Sequence, residues 1–344
     1  MSKKEFASRI LSETNIYQLI LKVRTTLFSE VRILAYHRIL DLESREKYPF
    51  DYDLISASIS DFKWQMKHVK KYYSPISFKH LVEHYESKTT LPKNPIIITF
   101  DDGYSDNYYN AYPILKELSI PATIFISTDY IGGDNTFWFD WVSFLVNKYP
   151  GHEIKIHSLN ENIKLDDNLN KRRHIGAKLI NELKKVNNDI RLEVLSELHE
   201  KYDYLLANEE DRIRKLSYPL SWEQIIEMSR NGIDFGSHTT SHPILSKLNN
   251  NELKNELMDS KEILEEKLGK DISIFAYPNG LSNDYNENVI KNIKLAGYKF
   301  ALTYIAGANN IKELKRYEIK RIPIEPETSR NRFSTALVVP ELFW

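Results

Sequence analysis

The chain has 344 residues, 42% of them hydrophobic, which is enough for a sizeable core and within the range of one α/β barrel carrying insertions. Its 47 Lys and Arg nearly balance 48 Asp and Glu, which excludes a nucleic-acid binder working by bulk charge. Cysteine is absent, so a disulfide scaffold, a thiolate metal site and a Cys nucleophile are excluded too.

Residues 1–30 read as an N-terminal helical segment. Its apolar run, 16–23, is interrupted by Gln18 and Lys22 and is too short and polar to span a bilayer. No small-residue cleavage site follows it. The expectation is a helix packed on the domain or resting peripherally on a membrane, in a cytoplasmic protein or one at the membrane face. The run 31–36 reads as a first buried strand ending at His37. Residues 61–73 put Phe62, Met66 and Val69 on one helical face, with Ser60 or Asp61 as cap. A short strand at 76–78, a helix at 79–85 and a β-branched strand at 96–100 follow. A helix at 108–118 and a buried strand at 122–126 continue the alternation, which predicts parallel βα units.

The alternation breaks at about 140–220. Asn and Asp accumulate at 160–170, and 175–206 has helical spacing with many charges. This predicts a helical insertion with a solvated face. The aromatic cluster Phe137-Trp-Phe-Asp-Trp141 reads as that insertion's own core. Ser221-Trp-Glu-Gln224 then spells a capping box. After it come a short strand at 233–235, an amphipathic helix at 251–268 closed by Gly269, and a strand at 272–277. A helix at 286–296 and strands at 300–304 and 319–322 complete a barrel over 31–325, with 326–344 as a tail.

Asp101 and Asp102 stand where strand 96–100 meets Gly103. Adjacent acids repel, so the pair implies a use, and at the mouth of an α/β barrel that use is a metal, a proton transfer, or both. His238 and His242 follow another strand, four residues apart, a spacing that puts both imidazoles on one face of a helical turn. Two His and one carboxylate suit Zn²⁺, or Co²⁺ or Ni²⁺, and leave positions open for water and a substrate oxygen. One acid would bind the ion and the other take a proton, giving amide or ester hydrolysis without a protein nucleophile.

These segments resemble the motifs of the NodB-type polysaccharide deacetylases, carbohydrate esterase family 4. Thr99-Phe-Asp-Asp-Gly103 matches the first, Ser237-His-Thr-Thr-Ser-His242 the second, and Phe275-Ala-Tyr-Pro-Asn-Gly280 the third. The resemblance extends over about 31–325 without the insertion. It implies a distorted (β/α)7 barrel, an α/β fold, with Asp101 as general base and Asp102, His238 and His242 holding a divalent metal. It also implies that Tyr277, Pro278 and Asn279 line the groove, with the Asn279 main-chain N–H facing the oxyanion. The implied partner is an N-acetylated glycan or glycan precursor, not nucleic acid.

The departures from the family pattern direct attention elsewhere. Ala276 stands where many members carry a base-orienting Arg, and Arg321 on a late strand is the candidate replacement. The Asp/Trp fourth motif has no clear match. No histidine follows His242, so the late histidine that serves the family as catalytic acid is missing. His37 is the candidate acid, because barrel closure brings the first and last strands together. Its Tyr-His-Arg context resembles a subgroup that handles surface and biofilm polysaccharides. Tyr104 is the candidate to pack on a sugar ring. The other histidines lie on helices or in the insertion without ligand spacing. The reading is a metal-dependent N-deacetylase. The alternatives are an O-deacetylase or deformylase acting on a lipid- or nucleotide-linked sugar, and a glycan-binding barrel without activity.

Overall fold

The structure, a computed structural model, describes residues 16–133, 135–326 and 328–342; residues 1–15 of the expected N-terminal segment lie outside it. Seven parallel strands form the centre: β1 (Glu30–Tyr36), β2 (Pro95–Phe100), β3 (Ala122–Ile126), β4 (Ile233–Ser237), β5 (Ile274–Ala276), β6 (Phe300–Ala306) and β7 (Ile319–Pro323). Each pairs with the next, and β7 and β2 both pair with β1, so the sheet closes into a (β/α)7 barrel. Ile96, Ile97 and Ile98 are fully buried, as expected for a strand covered on both faces.

The register matters for chemistry. Tyr36 of β1 lies opposite Phe100 of β2, so the next residues, His37 and Asp101, leave the barrel side by side. On the other flank, Ser237 of β4 pairs with both Ile126 and Phe275, which sets His238 at the same rim. All these residues stand at the carboxyl ends of parallel strands, where a barrel presents its site.

Helices clad the barrel: α1 (Ile16–Leu27), α2 (Ile59–Tyr72), α3 (Phe78–Ser87), α4 (Tyr112–Leu118), and then, beyond the insertion, α8 (Trp222–Arg230), α9 (Asn250–Leu268) and α10 (Glu287–Leu295). The Ser221–Gln224 capping box forms, and Gly269 closes α9 in the left-handed conformation at φ 63°. Two local expectations are corrected. The strand expected at 76–78 lies at Ser74–Pro75, because Ser77 caps α3 and Phe78 is already helical. The helix expected from 108 opens as a π-helical turn, Asn107–Ala111, before α4.

The insertion contains α5 (Trp138–Lys148), an antiparallel hairpin of Glu153–Ile156 with Glu161–Lys164, α6 (Leu169–Lys185) and α7 (Asn188–Tyr202). The single helical stretch expected at 175–206 is therefore two main helices, parted where Val186 and Asn187 are extended. Trp138, Trp141, Leu179, Leu183, Val194 and Leu198 form a core of the insertion's own, so the aromatic run at 137–141 is interior.

The segment expected as a tail contains α11 (Arg330–Val338), whose Phe333 and Leu337 are buried in the main core with Tyr17 and Leu21 of α1. A free tail would leave those apolar side chains in water, so the chain folds back onto the barrel instead. The outer face of α1 leaves Leu19, Val23 and Leu27 exposed. No helix among the described residues is long and apolar enough to cross a membrane.

Candidate metal centre and active site

Asp102 turns inward just past β2. Its φ of +72° and that of Gly103, +82°, bend the chain sharply at the strand end. A Cβ at Gly103 would come within 2.6 Å of the Ile126 side chain, so both conformation and space require glycine there. The bend aims Asp102 at the two histidines beyond β4. His238 Nε2 lies 3.5 Å and His242 Nε2 3.3 Å from Asp102 Oδ1. All three residues are buried, and their candidate ligand atoms lie within 4.8 Å of one another.

The surroundings fit a cation. His238 Nδ1 donates to the Ala276 carbonyl at 2.7 Å, which leaves the Nε2 lone pair for a metal and fixes the ring. Asp102 Oδ1 is buried without a hydrogen-bond partner, its contacts to the imidazoles being ion-pair distances without hydrogen-bond alignment. A lone-pair acceptor buried this way is costly unless something positive meets it. Burial alone would raise the Asp102 pKa, but the two histidines outweigh it and hold the carboxyl well below the usual range. Burial lowers the pKa of His242, which favours the neutral, ligating form. Asp102, His238 and His242 therefore have the donor chemistry of a His₂-carboxylate divalent site.

Asp101 has a different partner. Arg321, fully buried on β7, donates Nη1 to Asp101 Oδ1 and Nη2 to Oδ2, each at 2.7 Å. The same guanidinium is fixed by Nε to the Thr303 carbonyl at 2.7 Å. This planar fork fixes the direction of the carboxylate as well as its charge. Against a burial that would raise it, Arg321 and then His238 lower the Asp101 pKa, keeping it ionised. His37 Nε2 is 3.9 Å from Asp101 Oδ2. Its main-chain N–H donates to Ser56 Oγ at 2.9 Å and its carbonyl accepts from Asn107 Nδ2 at 2.8 Å. The π-helical turn thus braces the loop after β1, and burial lowers the His37 pKa.

A cleft of about 270 Å³ opens over this centre, lined by His37, Asp101, Asp102, His238, His242 and Asn279. Three expected contacts are corrected. Tyr104 is fully buried in the insertion's core, donates its hydroxyl to Asp140 at 2.8 Å and carries Arg38 4.2 Å above its ring, so it cannot face a sugar. Tyr277 is buried, stacked on Tyr285 at 4.4 Å, with its hydroxyl on the Tyr317 carbonyl. Pro278 is buried behind the rim and does not line the cleft.

The cleft also has walls that the motifs did not indicate. Tyr304 packs 5.5 Å from the His37 ring, and Phe139 lies edge-on to His242 at 5.1 Å. From α6 come Ala177, Ile180, Asn181 and Lys184, and from the loop before Ile55–Ala57 come Asp51 and Asp53. Lys184 Nζ donates to Asn279 Oδ1 at 2.8 Å, and Asn279 Nδ2 donates to Asp284, so the insertion grips the third motif directly. Burial lowers the Lys184 pKa. For the residues from α6, the sequence signal was helical spacing with many charges, and it did not distinguish a cleft wall from a solvated face.

Residues 88–301 match the family described as Polysaccharide deacetylase. YxkH of Bacillus subtilis, which carries the polysaccharide deacetylase name, is 25% identical over 238 residues, 69% of this chain and 54% of that protein. The poly-beta-1,6-N-acetyl-D-glucosamine N-deacetylase of Staphylococcus aureus is 34% identical over 118 residues, 32% of this chain and 41% of that enzyme. The chain thus matches about half the length of these relatives, or less. Among solved structures, the Streptococcus pyogenes deacetylase PplD in complex with acetate has a TM-score of 0.59 at 20% identity, covering 90% of this chain and 99% of that one. IcaB from Ammonifex degensii has a TM-score of 0.56 at 17% identity, covering 90% and 97%. These likenesses establish the shared fold.

Proposed function

The chain belongs to the polysaccharide deacetylase family, and from that premise we propose that it is a metal-dependent hydrolase removing N-acetyl groups from the sugars of a polysaccharide or glycan precursor. The observation that carries this reading is the division of the acid pair: Asp102 stands among two imidazoles, and Asp101 lies in the Arg321 fork.

Asp102, His238 and His242 would hold the ion. Bound there, Zn²⁺ or a similar divalent ion supplies Lewis acidity, acidifying water and polarising the acetamide carbonyl. Asp101, kept ionised and aimed by Arg321, accepts the proton of the attacking water. His37 Nε2, beside Asp101, takes up the proton that Asp101 accepts from water and delivers it to the departing nitrogen as the C–N bond breaks. The Asn279 main-chain N–H is assigned to the developing oxyanion, with its side chain pinned by Lys184 and Asp284. Acetate and a free amino sugar are the products.

Incubation with an N-acetylated oligosaccharide should release acetate and free amine in equal amounts, and a chelator should stop both. With an O-acetylated sugar, acetate without amine would identify an esterase; with an N-formylated sugar, formate would identify a deformylase; no product from any of the three would identify a glycan-binding barrel. His37→Ala should cut turnover by about 10²–10⁴-fold, the usual contribution of one acid–base group, with metal content by elemental analysis unchanged. A near-normal rate would remove His37 from the acid role.

A further inference from the structure

The two histidines of the centre are held by different parts of the molecule. His238 belongs to the barrel: its main-chain N–H donates to the Ile126 carbonyl at 2.8 Å and its Nδ1 to the Ala276 carbonyl at 2.7 Å. His242 Nδ1 is buried too, and it has no hydrogen-bond partner among the described residues. A metal-binding imidazole nearly always donates its second ring N–H to an oxygen, which fixes the ring and strengthens it as a ligand. His242 needs another means of keeping its Nε2 toward Asp102.

The backbone poses the same problem. Thr239 and His242 are both left-handed, at φ +73° and +56°, a conformation that costs energy for a residue with a Cβ and persists where neighbours impose it. The barrel imposes it as far as Ser241. Glu256 of α9 accepts from the Thr240 and Ser241 N–H groups at 2.8 and 3.0 Å. The Thr239 and Thr240 carbonyls accept from the Thr128 and Asp129 N–H groups at 3.2 and 3.0 Å. The His242 carbonyl instead accepts from Trp138 Nε1, on the first residue of α5, at 3.2 Å. The next residue, Phe139, sets its ring 5.1 Å from the His242 ring at a tilt of 61°. Phe139 stacks on Phe137 at 5.4 Å and Phe137 on Tyr130 at 4.2 Å, so the ring that meets His242 ends an aromatic row rooted in the insertion's core.

We propose that the insertion, through Trp138 and Phe139, positions His242 and so sets how tightly the centre holds a divalent ion. The inference rests on the reading of Asp102, His238 and His242 as ligands and goes beyond it: the barrel places Asp102 and His238, and the insertion places His242. Trp138 and Phe139 are positioning residues, one for the peptide and one for the ring. The coupling is reciprocal, so an ion that binds best when α5 is seated must in turn seat α5 more firmly.

Titration of the metal-free protein with Co²⁺ against a competing chelator, without substrate, tests this. Phe139→Leu keeps an apolar side chain and removes the ring, and Trp138→Phe keeps a ring and removes the N–H. Each should weaken Co²⁺ binding by about 10–100-fold, the usual effect of losing a support behind a ligand. Each should also change the visible absorption of the bound ion, which reports ligand geometry and which loosened packing alone would not move. Leu198→Ala is the control, because Leu198 is buried in the same core without lining the cleft. It should lower the melting temperature and leave Co²⁺ affinity and absorption as in the wild type. Wild-type affinity and absorption in both Trp138→Phe and Phe139→Leu, or an equal loss of affinity in Leu198→Ala, would overturn the inference. Trp138→Phe remains informative if Phe139→Leu folds poorly. Failure of the ligand reading itself looks different: the wild-type protein would bind no Co²⁺, or His242→Ala would bind it as tightly as the wild type, and either result removes this inference as well.

Discussion

Replacing Asp102 with Asn is expected to lower turnover by about a thousandfold and to strip the protein of its ion. The magnitude follows from the several kcal/mol that a Lewis acid contributes to a developing oxyanion, at about 1.4 kcal/mol per tenfold. Asn is the informative substitution because it keeps the volume and removes only the charge. It also tolerates the left-handed backbone at this position, φ +72°, where a β-branched residue would be strained. The fold should therefore survive, and a loss of rate will report on the site. His238 and His242 remain, but two imidazoles bind a divalent cation far less tightly without the carboxylate beside them. Elemental analysis after dialysis against a chelator, run beside acetate release, checks both halves. A variant that keeps its metal and its rate would refute the assignment of Asp102.

Arg321→Met should have the second-largest effect, and this one should appear in stability as well as in rate. Asp101 and Arg321 are buried together, and removing one partner leaves the other charge with no counter-ion. Breaking a buried pair in this way costs about 3–5 kcal/mol. The Thr303 carbonyl also loses its donor. The freed carboxylate becomes harder to ionise and loses its fixed direction, so turnover should fall along with the melting temperature. Arg321→Lys keeps the charge without the two-pronged geometry and should land between wild type and Met. Adding Asp101→Asn to Arg321→Met should recover part of the melting temperature and none of the activity. Thermal unfolding and acetate release on the three variants decide the matter. Wild-type melting and turnover in Arg321→Met would show that the fork is dispensable.

What the sequence disclosed depended on how local the physics was. Acids and histidines at strand ends leave a spacing in the chain, so Asp102, His238 and His242 stood out as candidates, and the structure brings them together. Arg321 and His37 were readable through topology: closure of a barrel makes its first and last strands neighbours, and β7 and β2 do flank β1. Tyr104 and Tyr277 misled because an aromatic beside a motif looks the same whether its ring points to the groove or to the core. The backbone bend after β2 leads Tyr104 into the insertion's core, and Tyr277, directly after β5, packs on Tyr285. The contribution of α6 was hidden for a different reason. Lys184 and Asn181 sit on a charged helix that reads as solvated. Only the fold-back of the insertion over the rim, held by its own core, makes one face of that helix a wall of the cleft.

The clamp on Asp101 also has a consequence for the timing of synthesis. Asp102, His238 and His242 are all present in the chain once residue 242 has been made, whereas the guanidinium that fixes Asp101 arrives with residue 321, on the strand that seals the barrel. A chain that ends before β7 lacks the guanidinium that holds Asp101. The direction of the Asp101 carboxylate therefore comes only with closure of the barrel, when β7 takes its place beside β1.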